Sequence, residues 1–261
     1  MGKSDLNLYT LRPDFQLRVQ VLAVIRVVFV FFYFLLINFL LILICLIRPF
    51  HRDNVYAAAM LYSSLARFLG VKLVVRVPES VRTGGPYVFI CNHQNSYDLL
   101  TVCRAAQRGM VTVGKKSLKW IPVFGWVYWL SGNIMIDRKN KGKAHDTLKV
   151  TADKIKERRL SVWFFPEGTR SNGRGLQAFK TGAFRIAQAT NEPIVTVSVS
   201  ELHDKIKLNR WDNGTLLIDV AEPVDVDPDA SAKELASFFR DKMQSKINEL
   251  NQEVAESEKA G

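Results

Sequence analysis

The sequence predicts an α/β fold: a mixed, largely parallel sheet flanked by helices, with an N-terminal membrane-embedded helical segment. Three observations lead there. From about residue 71 onward, strand-like and helix-like pieces alternate, the pattern of a layered α/β domain. Ahead of them, Val27 to Ile47 reads VVFVFFYFLLINFLLILICLI, 21 residues with Asn38 as the only strongly polar side chain. A run of about 20 apolar residues is long enough to cross a bilayer. Finally, the residues best suited to chemistry fall just beyond strand-like segments, where the working side chains of α/β sheets gather.

Taken in order, residues 1–20 are mixed, and Pro13 interrupts any long helix. The apolar run follows. It is apolar on every face, unlike a buried helix of a soluble protein, and too long for a cleaved signal peptide, with no A-x-A site after it. Arg12, Arg18 and Arg26 precede it and Arg48 and Arg52 follow, so charge asymmetry does not orient it. A second apolar segment, Ala57 to Val71, is shorter and more polar. A hairpin dipping into one leaflet and a single spanning helix both fit, and the hairpin is preferred. Residues 1–70 are expected to form the membrane-anchoring part and residues 71–261 the α/β catalytic domain.

Within that domain, Val71–Val77 reads as strand and Glu79–Pro86 as a turn. Strands are expected at Tyr87–Cys91, Met110–Val113, Asn133–Asp137, Leu160–Phe165, Ile194–Ser200 and Thr215–Val220. Helices are expected at Leu99–Arg108, Lys143–Arg158, Gly182–Thr190 and Ser231–Glu256, with a helical region at Lys116–Leu130 broken at Pro122. The composition is 48% hydrophobic, enough for a substantial core. A net charge of +11 suits an anionic partner. The basic residues are scattered and match no nucleic-acid-binding module, so lipid or a phosphorylated substrate is the better partner. Cys45, Cys91 and Cys103 form no CxxC or Cys/His cluster and read as reduced, largely buried thiols of a cytosolic setting.

The chemistry centres on Asn92-His93-Gln94-Asn95-Ser96-Tyr97-Asp98. It places one imidazole and one carboxylate five positions apart, at a strand end turning into a helix. A histidine that takes a proton at neutral pH needs a partner to hold its tautomer and stabilise the imidazolium. By itself this pair is better explained by a loop cap and a helix cap. Downstream residues change the balance. Lys115 follows one strand and Arg138 another; Phe164-Phe165-Pro166-Glu167-Gly168-Thr169-Arg170-Ser171 follows a third. Arg170 has the planar fork that clamps phosphate. Gly168 allows close approach of a ligand or another backbone, and Lys180 adds a further cation. Together they describe a base beside a phosphate pocket next to a membrane anchor.

These residues resemble the bacterial 1-acyl-sn-glycerol-3-phosphate acyltransferases of the glycerolipid acyltransferase superfamily. His93 to Asp98 matches the HxxxxD block, and Lys115 through Arg138 resembles the second block. FPEGTRS from Phe165 matches the third, 72 positions after His93. Glu192 to Val197 resembles the fourth, with Thr196 where a second proline is common. The resemblance runs from about Arg26 to the C-terminal helix. It implies acyl transfer from acyl-CoA or acyl carrier protein to the sn-2 hydroxyl of lysophosphatidic acid. His93 would be the base and Asp98 its orienter. Lys115, Arg138, Arg170 and Lys180 would hold phosphate, with Glu167, Gly168 and Thr169 lining the acceptor site. Neither metal nor cofactor is implied, and no G-x-S-x-G elbow is present. The implied location is the bacterial inner membrane, with the catalytic domain facing the cytoplasm. Alternatives are glycerol 3-phosphate or another lysophospholipid as acceptor. A metal-dependent phosphohydrolase is opposed by the sparse supply of ligands, with only four histidines; a lipid-binding scaffold also remains open.

Overall fold

The computed structural model describes residues 13–136 and 144–260. Its elements in chain order are α1 (Pro13–Ile47), α2 (Asn54–Phe68), β1 (Lys72–Arg76), α3 (Glu79–Thr83), β2 (Val88–Cys91), β3 (Met110–Lys115), α4 (Phe124–Leu130), β4 (Ile134–Ile136), α5 (Ala144–Arg158), β5 (Ser161–Phe164), α6 (Gly182–Thr190), β6 (Ile194–Val199), β7 (Thr215–Val220) and α7 (Ala232–Ala260). The strands make one seven-stranded sheet in the order β1-β7-β6-β2-β5-β3-β4. From β6 to β4 all neighbours are parallel. β7 pairs antiparallel with β6 and parallel with β1. The sheet is therefore mixed and largely parallel, as the alternation predicts.

Strand composition explains the order. β2 (VFIC) and β6 (IVTVSV) are buried at every position and lie side by side in the sheet interior. Strands covered on both faces read as continuous apolar runs. β1 (KLVVR) begins and ends exposed and takes an edge. Successive side chains of a strand point to opposite faces. Phe89, Cys91, Val195 and Val197 thus join one cluster with Ala59, Ala66 and Leu69 at and beside α2. Val88, Ile90 and Ile194 join another with Ile155 of α5, Phe184 and Ile186 of α6, and Phe239 and Met243 of α7. α7 starts with a reciprocal cap: Ser231 Oγ accepts from Glu234 N at 3.2 Å, and Glu234 Oε2 accepts from Ser231 N at 2.7 Å.

α1 and α2 form an antiparallel hairpin. Phe29 meets Phe68, Phe34 meets Tyr62, and the Tyr62 hydroxyl donates to Asn38 Oδ1 at 2.9 Å. Asn38, the one polar residue of the apolar run, is thereby satisfied in a fully buried position. The buried positions of α1 (Leu22, Arg26, Ile37, Asn38, Leu41 and Cys45) recur at helical spacing along one stripe. The rest of the helix exposes Val, Ile, Leu and Phe. α2 lies inward of it: Ala58, Tyr62 and Leu65 contact the α1 stripe, while Ala59 and Ala66 reach the sheet cluster.

Two expectations are corrected. Leu99–Arg108 is not an α-helix but part of two 3-10 turns, Ser96–Leu99 and Val102–Ala105. Asp98 folds back to accept from Gln94 N and Asn95 N, which tightens the chain. Thr101, Val102 and Cys103, all weak helix formers, follow it. Glu79–Pro86, expected as a turn, holds the short α3 behind Pro78, with Glu79 in its first turn. Phe184 is fully buried and stacks on Phe239 at 5.8 Å. Phe184→Ala is expected to cost about 3–5 kcal/mol, read as a lowered thermal midpoint in detergent.

Candidate active site

His93 leaves the end of β2 and Glu167 to Arg170 leave the end of β5, its parallel neighbour. Lys115 ends β3, one strand further on. Parallel pairing puts all three at the same sheet edge, with the end of β6 on the other side of β2. Arg138 lies outside the described residues.

The imidazole is held from two sides. Its Nδ1 lies 2.6 Å from Asp98 Oδ2, and the Phe165 ring stacks on it with centroids 4.0 Å apart and planes at 19°. Asp98 is buried, whereas His93 keeps part of its ring open. A carboxylate can only accept, so the proton sits on Nδ1 and Nε2 presents a lone pair. The same Oδ2 accepts from Gln94 N at 2.7 Å and Asn95 N at 3.3 Å. Asp98 Oδ1 is buried without a hydrogen-bond partner among the described residues.

The loop carrying His93 is fastened on every side. Glu167 is buried; its Oε1 accepts from His93 N at 2.6 Å and its Oε2 from Gln177 N at 2.9 Å. His93 O accepts from Ser171 N, and Gln94 O accepts from Asn172 N. Asn92 pairs its side-chain amide with both backbone groups of Val199. Gln94 donates to Ser200 O at 2.7 Å and accepts from Leu202 N at 2.6 Å. The HxxxxD and FPEGTRS segments and the end of β6 thus form one hydrogen-bonded unit. Asn92, Gln94 and Phe165 carry no site role in the sequence reading. Their polar or aromatic character beside His93 is visible there, but their partners, about 70 to 110 positions away, are not.

The cations stand at the rim. Lys115, Thr169, Arg170 and Lys180 are exposed, and the three charged ones have no ion pair among the described residues. Gly168 adopts φ +68°, and a Cβ there would come within 2.7 Å of Lys180 Nζ. The bare glycine lets the lysine lie across the turn. Burial raises the Glu167 carboxyl above its ordinary value, against the opposing pull of its two backbone donors. Burial, with Asp98 and Glu167 nearby, also raises the Cys91 thiol, so it stays protonated. Among the described residues, no cluster of three or more His, Cys, Asp or Glu is gathered. The arrangement suits removal of a proton from a hydroxyl beside a bound phosphate.

Residues 72–200 match the family model described as Acyltransferase. Over 219 residues the chain is 46% identical to the 1-acyl-sn-glycerol-3-phosphate acyltransferase of Salmonella typhimurium, a match covering 83% of this chain and 89% of that one. The chain belongs to the 1-acyl-sn-glycerol-3-phosphate acyltransferase family. The family protein of that name from Escherichia coli is 43% identical over 242 residues, covering 92% of this chain and 99% of that one. The crystal structure of the 1-acyl-sn-glycerophosphate (LPA) acyltransferase of Thermotoga maritima shares the fold with a TM-score of 0.69 at 19% identity, over 90% of this chain and 97% of that one.

Glu167→Gln leaves one of two buried backbone donors facing an amide nitrogen. It is expected to lower stability by about 1–3 kcal/mol, measured by thermal unfolding. A raised folded-state pKa means that the folded protein holds the Glu167 proton longer than the unfolded chain. Stability attributable to this group therefore falls as pH rises from the ordinary carboxylate range through the raised value. Glu167→Gln is expected to flatten that part of the stability profile.

Proposed function

We propose that this chain transfers a fatty acyl group from acyl-CoA or acyl carrier protein to the sn-2 hydroxyl of lysophosphatidic acid, giving phosphatidic acid. The observation that carries the proposal is the His93–Asp98 pair, set with Nε2 open on the edge that also bears Lys115, Arg170 and Lys180. In this reading His93 Nε2 takes the hydroxyl proton as the oxygen attacks the thioester carbonyl. Asp98 supports the imidazolium. The tetrahedral intermediate then collapses, the carbon–sulfur bond breaks, and the proton passes to the departing thiolate. Lys115, Arg170 and Lys180, with Arg138, hold the acceptor phosphate, and Thr169 and Gly168 line its seat. Glu167 acts by positioning, since both its oxygens are engaged with backbone.

Attachment to the bacterial inner membrane, with the site open to the cytoplasm, fits the same reading. Gln20–Ile47 is long and apolar enough to cross a bilayer. Yet the α/β domain touches α1 near both ends. Arg26 donates to Leu208 O at 3.1 Å, Trp211 O at 3.0 Å and Arg210 O. Just beyond the other end, Phe50 N donates to Leu130 O at 2.9 Å and Arg158 donates to Phe50 O. Arg26 to Ile47 spans about 32 Å of helix, comparable to the ~30 Å hydrocarbon core. A perpendicular crossing would draw the polar domain through lipid to keep both contacts. α1 instead lies along one leaflet with its bare face in the acyl chains. Residues 1–70 then serve attachment and residues 71–261 catalysis, with α2 joined to both.

The test is acyl transfer by the purified, detergent-solubilised chain to lysophosphatidic acid from a labelled thioester. His93→Ala is expected to lower kcat by about 10²–10⁴-fold while circular dichroism stays unchanged. Acylation of glycerol 3-phosphate instead would move the substrate. No transfer to any acceptor by folded protein would overturn the proposal. Gly168→Ala, which displaces Lys180, is expected to raise the KM for the phosphorylated acceptor more than it lowers kcat.

A further inference from the structure

The chain contains five tryptophans, and four lie open. Trp120, Trp126, Trp129 and Trp211 expose 76%, 60%, 50% and 79%, against 5% for Trp163. Three of the four fall within ten residues, on the 3-10 turn Lys116–Trp120 and on α4. Trp126 and Trp129 are three positions apart and share a helix face. Val127 points inward, buried with Ile37 and Leu41 of α1 and Tyr62 of α2. The outward face is thus apolar over a contiguous area, a feature that marks an interaction surface.

Two features say what covers it. The first is charge: Lys116 and Lys119 sit among the rings, with Lys119 Nζ 4.5 Å from the Trp120 centroid. Aromatic rings with interspersed lysines are the composition of the bilayer interface. The second is continuity with the lipid-facing side of α1. Phe50, which follows the exposed Leu46 and Ile47, packs edge-on against Trp129 at 5.5 Å. We propose that residues 116–129 form a second membrane contact, with Trp120, Trp126 and Trp129 seated in an anionic bilayer and Lys116 and Lys119 on its phosphates.

The proposal rests on the membrane attachment argued above and extends it to the catalytic domain itself. Its consequence is access. Lys116 adjoins Lys115 at the end of β3, so the lipid contact runs directly into the edge that bears the site. An amphiphilic acceptor then enters phosphate first from the surface on which the domain rests.

The test uses the full-length chain in vesicles of phosphatidylglycerol and phosphatidylcholine brominated high on its acyl chains. One variant carries W120F, W129F and W211F and keeps Trp126 and Trp163. A companion adds W126F and supplies the Trp163 background. These are exposed ring-for-ring substitutions, and circular dichroism checks the fold. The Trp126 emission, taken as the difference, is expected to be blue-shifted and quenched by bromolipid but shielded from aqueous iodide. Quenching by iodide with no effect of bromolipid would overturn the proposal by placing the face in water. Shielding from both quenchers that deepens with protein-to-lipid ratio would also overturn it, in favour of a second copy of the chain. None of these readouts depends on turnover, so failure here is distinct from failure of the acyl-transfer assignment.

Discussion

The site depends on one buried carboxylate. Asp98 holds the imidazole of His93 and draws in the amides of Gln94 and Asn95 with the same oxygen. A buried charge is tolerated only when donors surround it, and here the donors come from the loop that bears His93. Folding of the loop and orientation of the His93 ring are thus a single event. The 3-10 turn Ser96–Leu99 starts on the same residues, with Asn95 Oδ1 accepting from Tyr97 N and Asp98 Oδ2 accepting from Asn95 N.

Glu167 repeats the device from the neighbouring strand. Its two oxygens bridge His93 N and Gln177 N, so the third sequence block braces the first through backbone rather than through side-chain chemistry. Asn92 and Gln94 tie the same loop to the end of β6. Three parallel strands then define where the imidazole stands, and the cations need only line the rim. In the proposed reaction a precisely held His93 on a stiff edge and exposed, longer cationic side chains at the rim would meet two different demands. Proton transfer tolerates little misplacement, whereas charge attraction acts over several ångströms.

Much of this was legible in the sequence because the signals are local. Apolar runs such as Val88–Cys91 and Ile194–Val199 announce buried parallel strands, and His93, Asp98 and FPEGTRS mark the segments that the fold brings together. What was not legible depends on contacts distant in sequence. Nothing near Glu167 says that it will accept from His93 N, 74 residues earlier, rather than face the substrate. Stacking of Phe165 on His93 is likewise a product of strand pairing. The Leu99–Arg108 segment misleads because its apolar spacing suits a helix, while Thr101, Val102 and Cys103 within it are weak helix formers. The tryptophans of α4 carry no role in the sequence reading; the structure turns them outward.

The Arg26 clamp also bears on how the protein is made. The guanidinium sits at the start of the apolar stretch of α1 and is buried where it reaches the carbonyls of Leu208, Arg210 and Trp211. Those partners leave the ribosome about 180 residues later. At about 5–20 residues per second, that interval is roughly ten to forty seconds. Throughout it α1 carries an unmatched charge, which resists deep insertion into lipid. The seat of α1 on the domain is therefore completed only by the last third of the chain.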